Sequence, residues 1–306
     1  MLGKNGQAGW DLQRAFMPLG ELVALDRTGV DLRDKDSIRR QIRERNPRII
    51  VNAAAYTAVD RAETDQETAM AVNGIAPGVL AEEARRIGAV FIHYSTDYVF
   101  DGCKTEAYAE QDIAHPLNTY GRTKLAGEQA VESAGGLYFI FRTSWIYSHR
   151  GQNFFLKILQ LAKQRDRLTI VADQIGTPTS SHSIARATAE VCSLRLGLGN
   201  SAQESALHER AREYTGLYHM TASGHTSWCG FAQTIIAEAL KLGVPGIIPS
   251  LQIMPITTDE YPAPAPRPKN SILSNRKLNE VLGISIADWA CEIPRVLELA
   301  RRNPSE

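Results

Sequence analysis

A tyrosine and a lysine lie four positions apart in a segment that we expect to be helical. Tyr120 and Lys124 stand in the sequence YGRTK, and this spacing puts both side chains on one face of a helix. A free phenol has a pKa of about 10 and exchanges protons poorly at neutral pH. A nearby ammonium stabilises the phenolate and lowers that pKa, so the pair suits general acid–base chemistry. The spacing alone is also compatible with a surface tyrosine that packs on a lysine stem.

Two hydroxyl residues precede this pair by about 24 positions. Ser95 and Thr96 come at the end of the predicted strand Ala89–Ser95, and ligands bind at the carboxyl ends of strands in parallel sheets. In this arrangement a hydroxyl orients a carbonyl oxygen, a tyrosine gives the proton and a lysine holds the nicotinamide ribose, while a cofactor supplies the hydride. The sequence therefore predicts Thr96, Tyr120 and Lys124 as catalytic residues. Ser95, Tyr120 and Lys124 are also predicted cofactor contacts.

A glycine-rich segment near the amino terminus is a candidate for binding the cofactor diphosphate. The sequence GKNGQAG has glycines three residues apart, which permit a tight turn, close approach to a pyrophosphate and close helix packing. A helix predicted near Trp10–Met17 would direct its amino-terminal amides at the phosphates. The predicted cofactor contacts here are Gly3, Asn5, Gly6, Gln7 and Gly9.

Only Met1 and Leu2 precede Gly3, where a buried strand of about five or six residues is expected. Either the native start lies upstream, or the central strand is truncated. The second case would expose a central edge of the sheet and weaken the nucleotide site.

The choice between NADH and NADPH is open. Asp26 ends the predicted strand Glu21–Asp26, about twenty residues after the glycines, and an acid there accepts hydrogen bonds from the adenosine ribose of NADH. Arg27 follows and would suit the 2′-phosphate of NADPH. Asp31 and Leu32 are predicted to border the adenine, although an acid at a helix start is an equally good interpretation of Asp31.

Short apolar strands alternate with longer helices in the first half of the chain, and these elements must position the residues above. The predicted strands are Glu21–Asp26, Arg48–Asn52, Ala89–Ser95 and Tyr138–Arg142. The predicted helices are roughly Asp34–Arg45, Asp65–Ile87 and Asn118–Ser133. Strands that are apolar throughout are buried on both faces, so the pattern predicts an α/β fold with a Rossmann-like, doubly wound parallel sheet.

The alternation is less regular after Trp145. Further predicted elements are a helix near Gln152–Arg165, the strand Leu168–Val171, a helix from Ser181, a surface excursion at Asn200–Arg210, the strand Gly216–Met220 and an extended loop at Tyr261–Pro268. We predict a dinucleotide-binding domain of residues 1–146 plus roughly 181–215. Residues of roughly 147–180 and 216–306 are predicted to form a smaller, discontinuous α/β substrate domain.

The composition argues against several classes of protein. Lys+Arg and Asp+Glu are both 34, so the chain lacks the net positive charge that is typical of nucleic-acid binders. No apolar run reaches the roughly 18 residues of a membrane span, and Met1–Trp10 matches neither a signal peptide nor a transit peptide. The four cysteines are widely spaced, which predicts reduced thiols. We therefore expect a cytoplasmic location and neither nucleic-acid nor membrane partners.

Several longer stretches resemble the extended short-chain dehydrogenase/reductase superfamily and, within it, the dTDP-4-dehydrorhamnose reductases. The resemblance runs from Gly3 to about Leu299. The stretches that carry it are VNAAAYTAVDRAE (Val51–Glu63), HYSTDYVFDG (His93–Gly102), PLNTYGRTKLAGE (Pro116–Glu128), FRTSWIY (Phe141–Tyr147), DQIGTPTS (Asp173–Ser180) and RPKNSIL (Arg267–Leu273). It implies that NADPH or NADH reduces the C4 keto group of dTDP-4-dehydro-L-rhamnose to give dTDP-L-rhamnose, with Thr96, Tyr120 and Lys124 as the catalytic residues.

The resemblance also implies binding roles at matching positions. The alanines match a wall of small residues along the cofactor, Trp145 matches an aromatic beside the sugar ring, and Arg267 and Asn270 match a loop that faces the diphosphate. The implied cofactor contacts are Ala53, Ala54, Ala55, Thr57 and Asn73. The implied substrate contacts are Thr57, Val59, Thr96, Asp97, Trp145, Arg267 and Asn270, and Asp60 borders the same pocket. An arginine suits this task because its guanidinium binds phosphate oxygens in a bidentate way.

The sequence departs from relatives that dimerise around Mg²⁺ held by carboxylates. Asp11 keeps an acid in the first helix, but His182 stands where a second ligand is expected, and imidazole is a poor Mg²⁺ ligand. Glu292 and Glu298 leave the set incomplete. We therefore expect no metal site, and either a monomer or a weak homodimer.

Two alternative functions remain open. A nucleotide-sugar 4,6-dehydratase usually has Asp-Glu after the threonine, whereas Asp97-Tyr98 follows here, and a 4-epimerase would keep NAD tightly bound. The regulatory subunit of methionine adenosyltransferase shares the Tyr–Lys pattern but binds a partner without catalysis. It diverges at two stretches that are intact here, Thr143–Trp145 and Gly176–Thr179.

Overall fold

A parallel β-sheet lies at the centre of the computed structural model, which describes residues 1–199 and 204–302. The strands are β1 (Ile49–Asn52), β2 (Val90–Thr96), β3 (Leu137–Thr143), β4 (Ile146–Tyr147), β5 (Arg167–Val171), β6 (Ile175–Gly176), β7 (Thr179–Ser180), β8 (Gly216–His219), β9 (Thr226–Ser227) and β10 (Gln252–Ile256). The central sheet has the order β1–β2–β3–β8, and all three pairings are parallel.

Helices cover both faces of this sheet, and three others pack in a separate core. They are α1 (Gln7–Phe16), α2 (Lys35–Arg45), α3 (Val59–Ala62), α4 (Gln66–Met70), α5 (Ala76–Ile87), α6 (Thr119–Ala134), α7 (Phe154–Ala162), α8 (Ser181–Glu190), α9 (Glu204–Tyr214), α10 (Trp228–Lys241), α11 (Arg276–Leu282) and α12 (Ile293–Arg302). Successive residues of a strand point to opposite faces. Ile92 packs on one side with Leu12 of α1 and Ile184 of α8, whereas Phe91 packs on the other with Ile38 of α2 and Leu80 of α5. The predicted doubly wound α/β fold is confirmed.

The first three residues run between Leu25 and β1. Leu2 forms parallel bridges with Leu25 and Asn52, and its amide donates to the carbonyl oxygen of Val51 at 2.8 Å. The predicted strand Glu21–Asp26 is wrong, because only Leu25 of this segment is bridged to a neighbour. A cavity of about 420 Å³ lies beside it, lined in part by Leu22 and Ile50.

Two predicted segments gain detail from the structure. The helix predicted over Asp65–Ile87 is continuous through α4 and α5, but a π-helical turn at Ala71–Ile75 joins them. The predicted surface excursion at Asn200–Arg210 is wrong from residue 204 onward, because that part belongs to α9 and buries Leu207. Its first residues, 200–203, lie outside the described part of the chain.

A second apolar core lies away from the central sheet. The parallel pair β5–β10 packs with α7, α10 and α12, whose buried residues include Ile158, Phe231 and Val296. The sequence assigned residues 216–306 to the smaller domain, but β8 extends the central sheet and Leu278 of α11 packs in its core. Within this segment, β8 and α11 therefore belong with the central sheet, whereas α10, β10 and α12 belong to the second core.

All four cysteines are free thiols, as the sequence predicts. None of the helices in the described ranges combines the length and apolar character that crossing a bilayer requires.

Candidate active site

The first turn of α6 meets the carboxyl end of β2. Thr96 ends β2, and its hydroxyl accepts a hydrogen bond from the amide of Tyr98 at 3.1 Å. Asn118 caps α6 by accepting from the amide of Gly121 at 2.8 Å, which places Tyr120 in the first turn. The Thr96 side chain is close enough to the phenol of Tyr120 to lower its pKa, although burial has the larger and opposite effect. A threonine hydroxyl and a tyrosine phenol thus lie together at the edge of the sheet where ligands bind.

Lys124 follows one helical turn later and is almost fully buried. Its Nζ donates to the carbonyl oxygen of Tyr94 at 2.6 Å. Burial lowers the pKa of Lys124 to about 8, against the opposing effect of the Glu128 carboxylate. Burial also raises the pKa of Tyr120 to about 12, so the phenol holds its proton at neutral pH. A phenol that is protonated at neutral pH can act as the general acid that protonates the carbonyl oxygen during a reduction.

Asp97 is a buried carboxyl group beside the predicted catalytic threonine. It accepts hydrogen bonds from the hydroxyls of Thr96 at 3.0 Å and Ser144 at 2.9 Å. Burial raises the pKa of Asp97 to about 6, and the hydrogen bonds from Ser271, Ser144 and Thr96 oppose that rise. Its predicted contact with the sugar stays a prediction.

Several residues that the sequence assigned to the cofactor line one cavity of about 320 Å³. They are Gly3, Asp26, Arg27, Asp31, Leu32, Ala54 and Ala55. The cavity lies where the amino-terminal turn, the segment after Leu25 and the end of β1 converge, which is the place of an adenosine group in sheets of this type.

Asp26 is already engaged by the glycine loop. Its carboxylate accepts from Asn5 Nδ2 at 3.0 Å and lies 3.2 Å from Lys4 Nζ. Hydrogen bonds from the Thr28 side chain and Lys4 hold the pKa of Asp26 well below its usual range. The adjacent Arg27 side chain is exposed at the same cavity, so an acid and a base are both available to a ribose or its phosphate.

The amino-terminal turn has no room for side chains at two glycines. Gly3 has φ +84°, and a Cβ there would lie 2.7 Å from the amide nitrogen of Ala54. A Cβ at Gly9 would overlap the carbonyl group of Gly3. Gly6 precedes α1, and the side chain of Gln7 accepts a hydrogen bond from Asn153 at 2.9 Å. This close-packed turn at a helix start fits a pyrophosphate.

Asn73 acts on the loop after β1 through main-chain hydrogen bonds. Its side chain lies in the π-helical turn, accepts from the amide of Tyr56 at 2.8 Å and donates to the carbonyl oxygen of Tyr56 at 3.0 Å. These two hydrogen bonds fix the loop in which Ala54, Ala55 and Tyr56 line the cavity, with Ala53 and the exposed Thr57 on either side of them. The hydroxyl of Ser95 is buried and has no hydrogen-bond partner among the described residues.

Trp145 adopts an uncommon backbone conformation. Its φ is 46°, and its indole stacks on that of Trp228 with ring centroids 3.5 Å apart and planes 5° apart. A Cβ at Gly176 would lie 2.5 Å from Cε2 of the Trp145 ring, so this glycine leaves room for the indole. The sequence did not single out Trp228, because an aromatic at the start of an amphipathic helix is usually a core residue.

A larger cavity of about 860 Å³ lies between α7, β5 and the loop Tyr261–Pro268 after β10, which we call the proline-rich loop. Its cationic lining residues are Lys157, Arg165, Arg167 and Arg267. Trp228 lines the same cavity, so the stacked indoles adjoin a predominantly cationic surface. Asn118 at the start of α6 donates to the carbonyl oxygen of Pro266 at 2.8 Å, which ties this loop to the helix that carries Tyr120. The first three cations escaped sequence analysis because no motif distinguishes them from surface charges.

Arg267 and Asn270 already have partners in the protein. Arg267 Nη2 donates to both carboxylate oxygens of Asp60, at 3.0 and 2.9 Å, and Nη1 donates to the carbonyl oxygen of Ala265. Asp60 follows Val59 at the start of α3, so this ion pair joins α3 to the proline-rich loop. The amide of Asn270 donates to the carbonyl oxygens of residues 104 and 106. The predicted contacts of both side chains with a diphosphate stay predictions.

No group of three or more potential ligands among His, Cys, Asp and Glu gathers around a common point in residues 1–199 and 204–302. Asp11 accepts a hydrogen bond from the hydroxyl of Ser181. The absence of a metal requirement stays a prediction.

The fold and the site together define a class. A parallel sheet with a close-packed glycine turn at one strand and a Thr–Tyr–Lys set at the carboxyl end of another is the architecture of Rossmann-fold NAD(P)-dependent reductases. Within that class the chain belongs to the family described as the RmlD substrate binding domain, whose model matches residues 1–302.

Several relatives of nearly equal length are described as dTDP-4-dehydrorhamnose reductases. The chain is 47% identical over 291 residues to a dTDP-4-dehydrorhamnose reductase from Burkholderia thailandensis, covering 94% of this chain and 93% of the relative. A crystal structure of a dTDP-4-dehydrorhamnose reductase from Clostridium acetobutylicum has a TM-score of 0.86, 34% identity and 97% coverage of both chains. A Bacillus anthracis dTDP-4-dehydrorhamnose reductase in complex with NADP has a TM-score of 0.84, 31% identity and 97% coverage of both. The resemblance drawn from the sequence is confirmed.

Proposed function

We propose that the protein uses NADPH or NADH to reduce the C4 keto group of dTDP-4-dehydro-L-rhamnose, which gives dTDP-L-rhamnose. The observation that carries this proposal is that Thr96, Tyr120 and the buried Lys124 come together where the end of β2 meets the first turns of α6. The family relationship supplies the substrate, because several relatives that match over nearly full length are described as dTDP-4-dehydrorhamnose reductases.

The residues of the turn and the cavity fit a dinucleotide. Gly3 and Gly9 occupy positions where a Cβ would overlap the main chain. The turn that they form leads into the amino terminus of α1, whose amides can bind a phosphate. Asp26 and Arg27 would border the adenosine ribose, and Ala54 and Ala55 line its cavity. When bound, the nicotinamide supplies a hydride to C4. Asp26 favours NADH and Arg27 favours NADPH, so either cofactor is proposed.

Side chains at the end of β2 and in the first two turns of α6 then complete the reduction. The hydroxyl of Thr96 orients the keto oxygen, and the phenol of Tyr120 transfers its proton to that oxygen as the carbon–oxygen double bond becomes a single bond. Lys124, in its ammonium form, stabilises the phenolate that remains on Tyr120. Thr96 and Lys124 are buried at this edge of the sheet, and Tyr120 is half-buried beside them.

The 860 Å³ cavity has the charge and aromatic surface for a nucleoside diphosphate sugar. Guanidinium and ammonium groups bind phosphate oxygens, and the paired indoles of Trp145 and Trp228 offer an apolar wall for a deoxysugar or a thymine. We propose that Arg267 exchanges its partner Asp60 for the diphosphate when substrate binds.

A monomer or weak homodimer, a cytoplasmic location and the absence of nucleic-acid, membrane and metal partners stay predictions.

Product analysis tests the proposal. The purified protein should oxidise NADPH or NADH when dTDP-4-dehydro-L-rhamnose is added, and chromatography with NMR should identify dTDP-L-rhamnose. Tyr120→Phe is the matched control, because it keeps the ring and removes only the proton donor. A protein that binds the cofactor and yields no dTDP-L-rhamnose above this control would refute the reductase function. Tightly held NAD in the purified protein would favour an epimerase.

A further inference from the structure

Lys124, one of the proposed catalytic residues, stands at the end of a row of three buried polar side chains that are in contact with one another. Lys124 Nζ lies 3.2 Å from His93 Nε2, and His93 Nδ1 lies 3.2 Å from Asn52 Nδ2. Lys124, His93 and Asn52 are only 2%, 1% and 1% exposed, so water does not compete for these contacts. The three residues come from α6, β2 and β1, which shows that the cluster spans adjacent elements.

The environment of Asn52 determines which ring nitrogen of His93 carries the hydrogen. Asn52 Oδ1 accepts from the amide of Ala54 at 3.2 Å, so its Nδ2 group is the one that faces the ring. An amide nitrogen only donates, and His93 Nδ1 must therefore accept. Burial, and then the charge of Lys124, lower the pKa of His93 well below its usual value, so the ring is neutral. A neutral ring that accepts at Nδ1 carries its hydrogen on Nε2.

This tautomer directs an N–H group at Lys124. An ammonium has three hydrogens and no lone pair, so it offers no acceptor to the Nε2–H of His93. An amine can accept that hydrogen and still donate to the carbonyl oxygen of Tyr94, which lies 2.6 Å away. The contact therefore favours the amine over the ammonium.

A carboxylate also acts on Lys124. Glu128, on the same helix, favours the ammonium, but Arg142 of β3 binds both of its carboxylate oxygens at 2.9 and 2.7 Å. The phenol of Tyr94 is hydrogen-bonded to the hydroxyl of Thr188. Tyr94 therefore contacts Lys124 only through its main-chain carbonyl oxygen.

We propose that His93, oriented by Asn52, is a positioning residue that lies against the terminal nitrogen of Lys124 and sets the pH at which Lys124 loses its proton. The inference rests on the proposed reductase function. It implies that kcat/KM falls on the alkaline side when the ammonium that stabilises the Tyr120 phenolate is lost. Sequence analysis used this histidine only as part of the stretch His93–Gly102.

The pH profile of kcat/KM tests the role. His93→Gln keeps a polar atom near the Nε2 position, but its amide can turn an oxygen toward the ammonium and accept from it. Asn52→Ala removes the donor that fixes the tautomer, so the ring can present an accepting Nε2. Both variants should move the alkaline limb upward by about one pH unit. Tyr94→Phe is the matched control, because it removes a buried hydroxyl from the residue after His93 and keeps the main-chain carbonyl oxygen. The alkaline limb of its kcat/KM profile should therefore stay where it is in the wild type.

NMR of protein with ¹⁵N-labelled histidine provides a readout that needs no substrate. His93→Gln assigns the signal, which should be that of a neutral ring with hydrogen on Nε2 from about pH 6 to about pH 9. A ring with hydrogen on Nδ1, an imidazolium, or a His93→Gln limb that matches the wild type would overturn the inference. Equal losses of kcat/KM at every pH would show a merely structural role and also overturn it. A wild-type protein without turnover would refute the proposed function alone, since the tautomer is still measurable.

Discussion

Arg267 links the proline-rich loop to α3 through Asp60, and replacing either residue separates two explanations of this contact. If Arg267 binds the substrate diphosphate, Arg267→Ala removes charge-assisted hydrogen bonds of about 1.5–3 kcal/mol, which corresponds to a rise in KM for the dTDP-sugar of roughly 10- to 150-fold. Affinity for NADPH should stay nearly constant, because the cofactor turn at Gly3–Gly9 lies at a different strand end.

The same structure limits the effect on stability. The two side chains of the ion pair are 21% and 46% exposed, and exposed pairs contribute about 0–1 kcal/mol. The melting temperature of Arg267→Ala should therefore fall by no more than about 2–4 °C.

Asp60→Asn is the matched variant, since it weakens the ion pair and keeps the guanidinium. If Arg267 must exchange Asp60 for the diphosphate, this variant should bind the sugar nucleotide as well as the wild type or better. Titrations with sugar nucleotide and with NADPH, each on both variants, provide the measurement. Equal weakening of sugar-nucleotide binding in Arg267→Ala and Asp60→Asn would refute the reasoning and show that the pair only fixes the loop.

Three further predictions concern the catalytic residues and the metal. Tyr120→Phe should lower kcat by roughly 10²–10⁴-fold with little change in substrate affinity, because positioned acid catalysis contributes about that factor; unaltered turnover would assign the Tyr–Lys pair a structural role. Burial raises the pKa of Asp97 to about 6, so the unfolded chain ionises first and the free energy of unfolding should fall as pH rises from about 4 to about 6. Denaturant titrations should show Asp97→Asn gaining on the order of 2–3 kcal/mol relative to wild type between pH 4 and pH 8, and a pH-independent difference would contradict the shift. Activity should survive EDTA, because His182 replaces a carboxylate ligand; loss with EDTA and recovery with Mg²⁺ would show that a metal is needed.

The local pattern of the sequence was sufficient for the elements that carry the chemistry. Apolar runs predicted β1, β2 and β3, since strands buried on both faces need apolar residues at every position. The four-residue spacing of Tyr120 and Lys124 placed them on one face of α6, because the helical period determines that geometry. The strand predicted at positions 21–24 is absent, because a segment becomes a strand only where another strand pairs with it.

Only the tertiary structure decided which distant residues meet. Lys124 contacts His93 across 31 positions, and Arg267 contacts Asp60 across 207. Trp145 stacks on Trp228, which the sequence did not single out. These contacts depend on the order of the strands and on how α6, α10 and the proline-rich loop pack against them. Local periodicity encodes the faces of helices and strands, but not which faces are brought together, and the burial that shifts the pKa values of Lys124 and Asp97 arises only from that assembly.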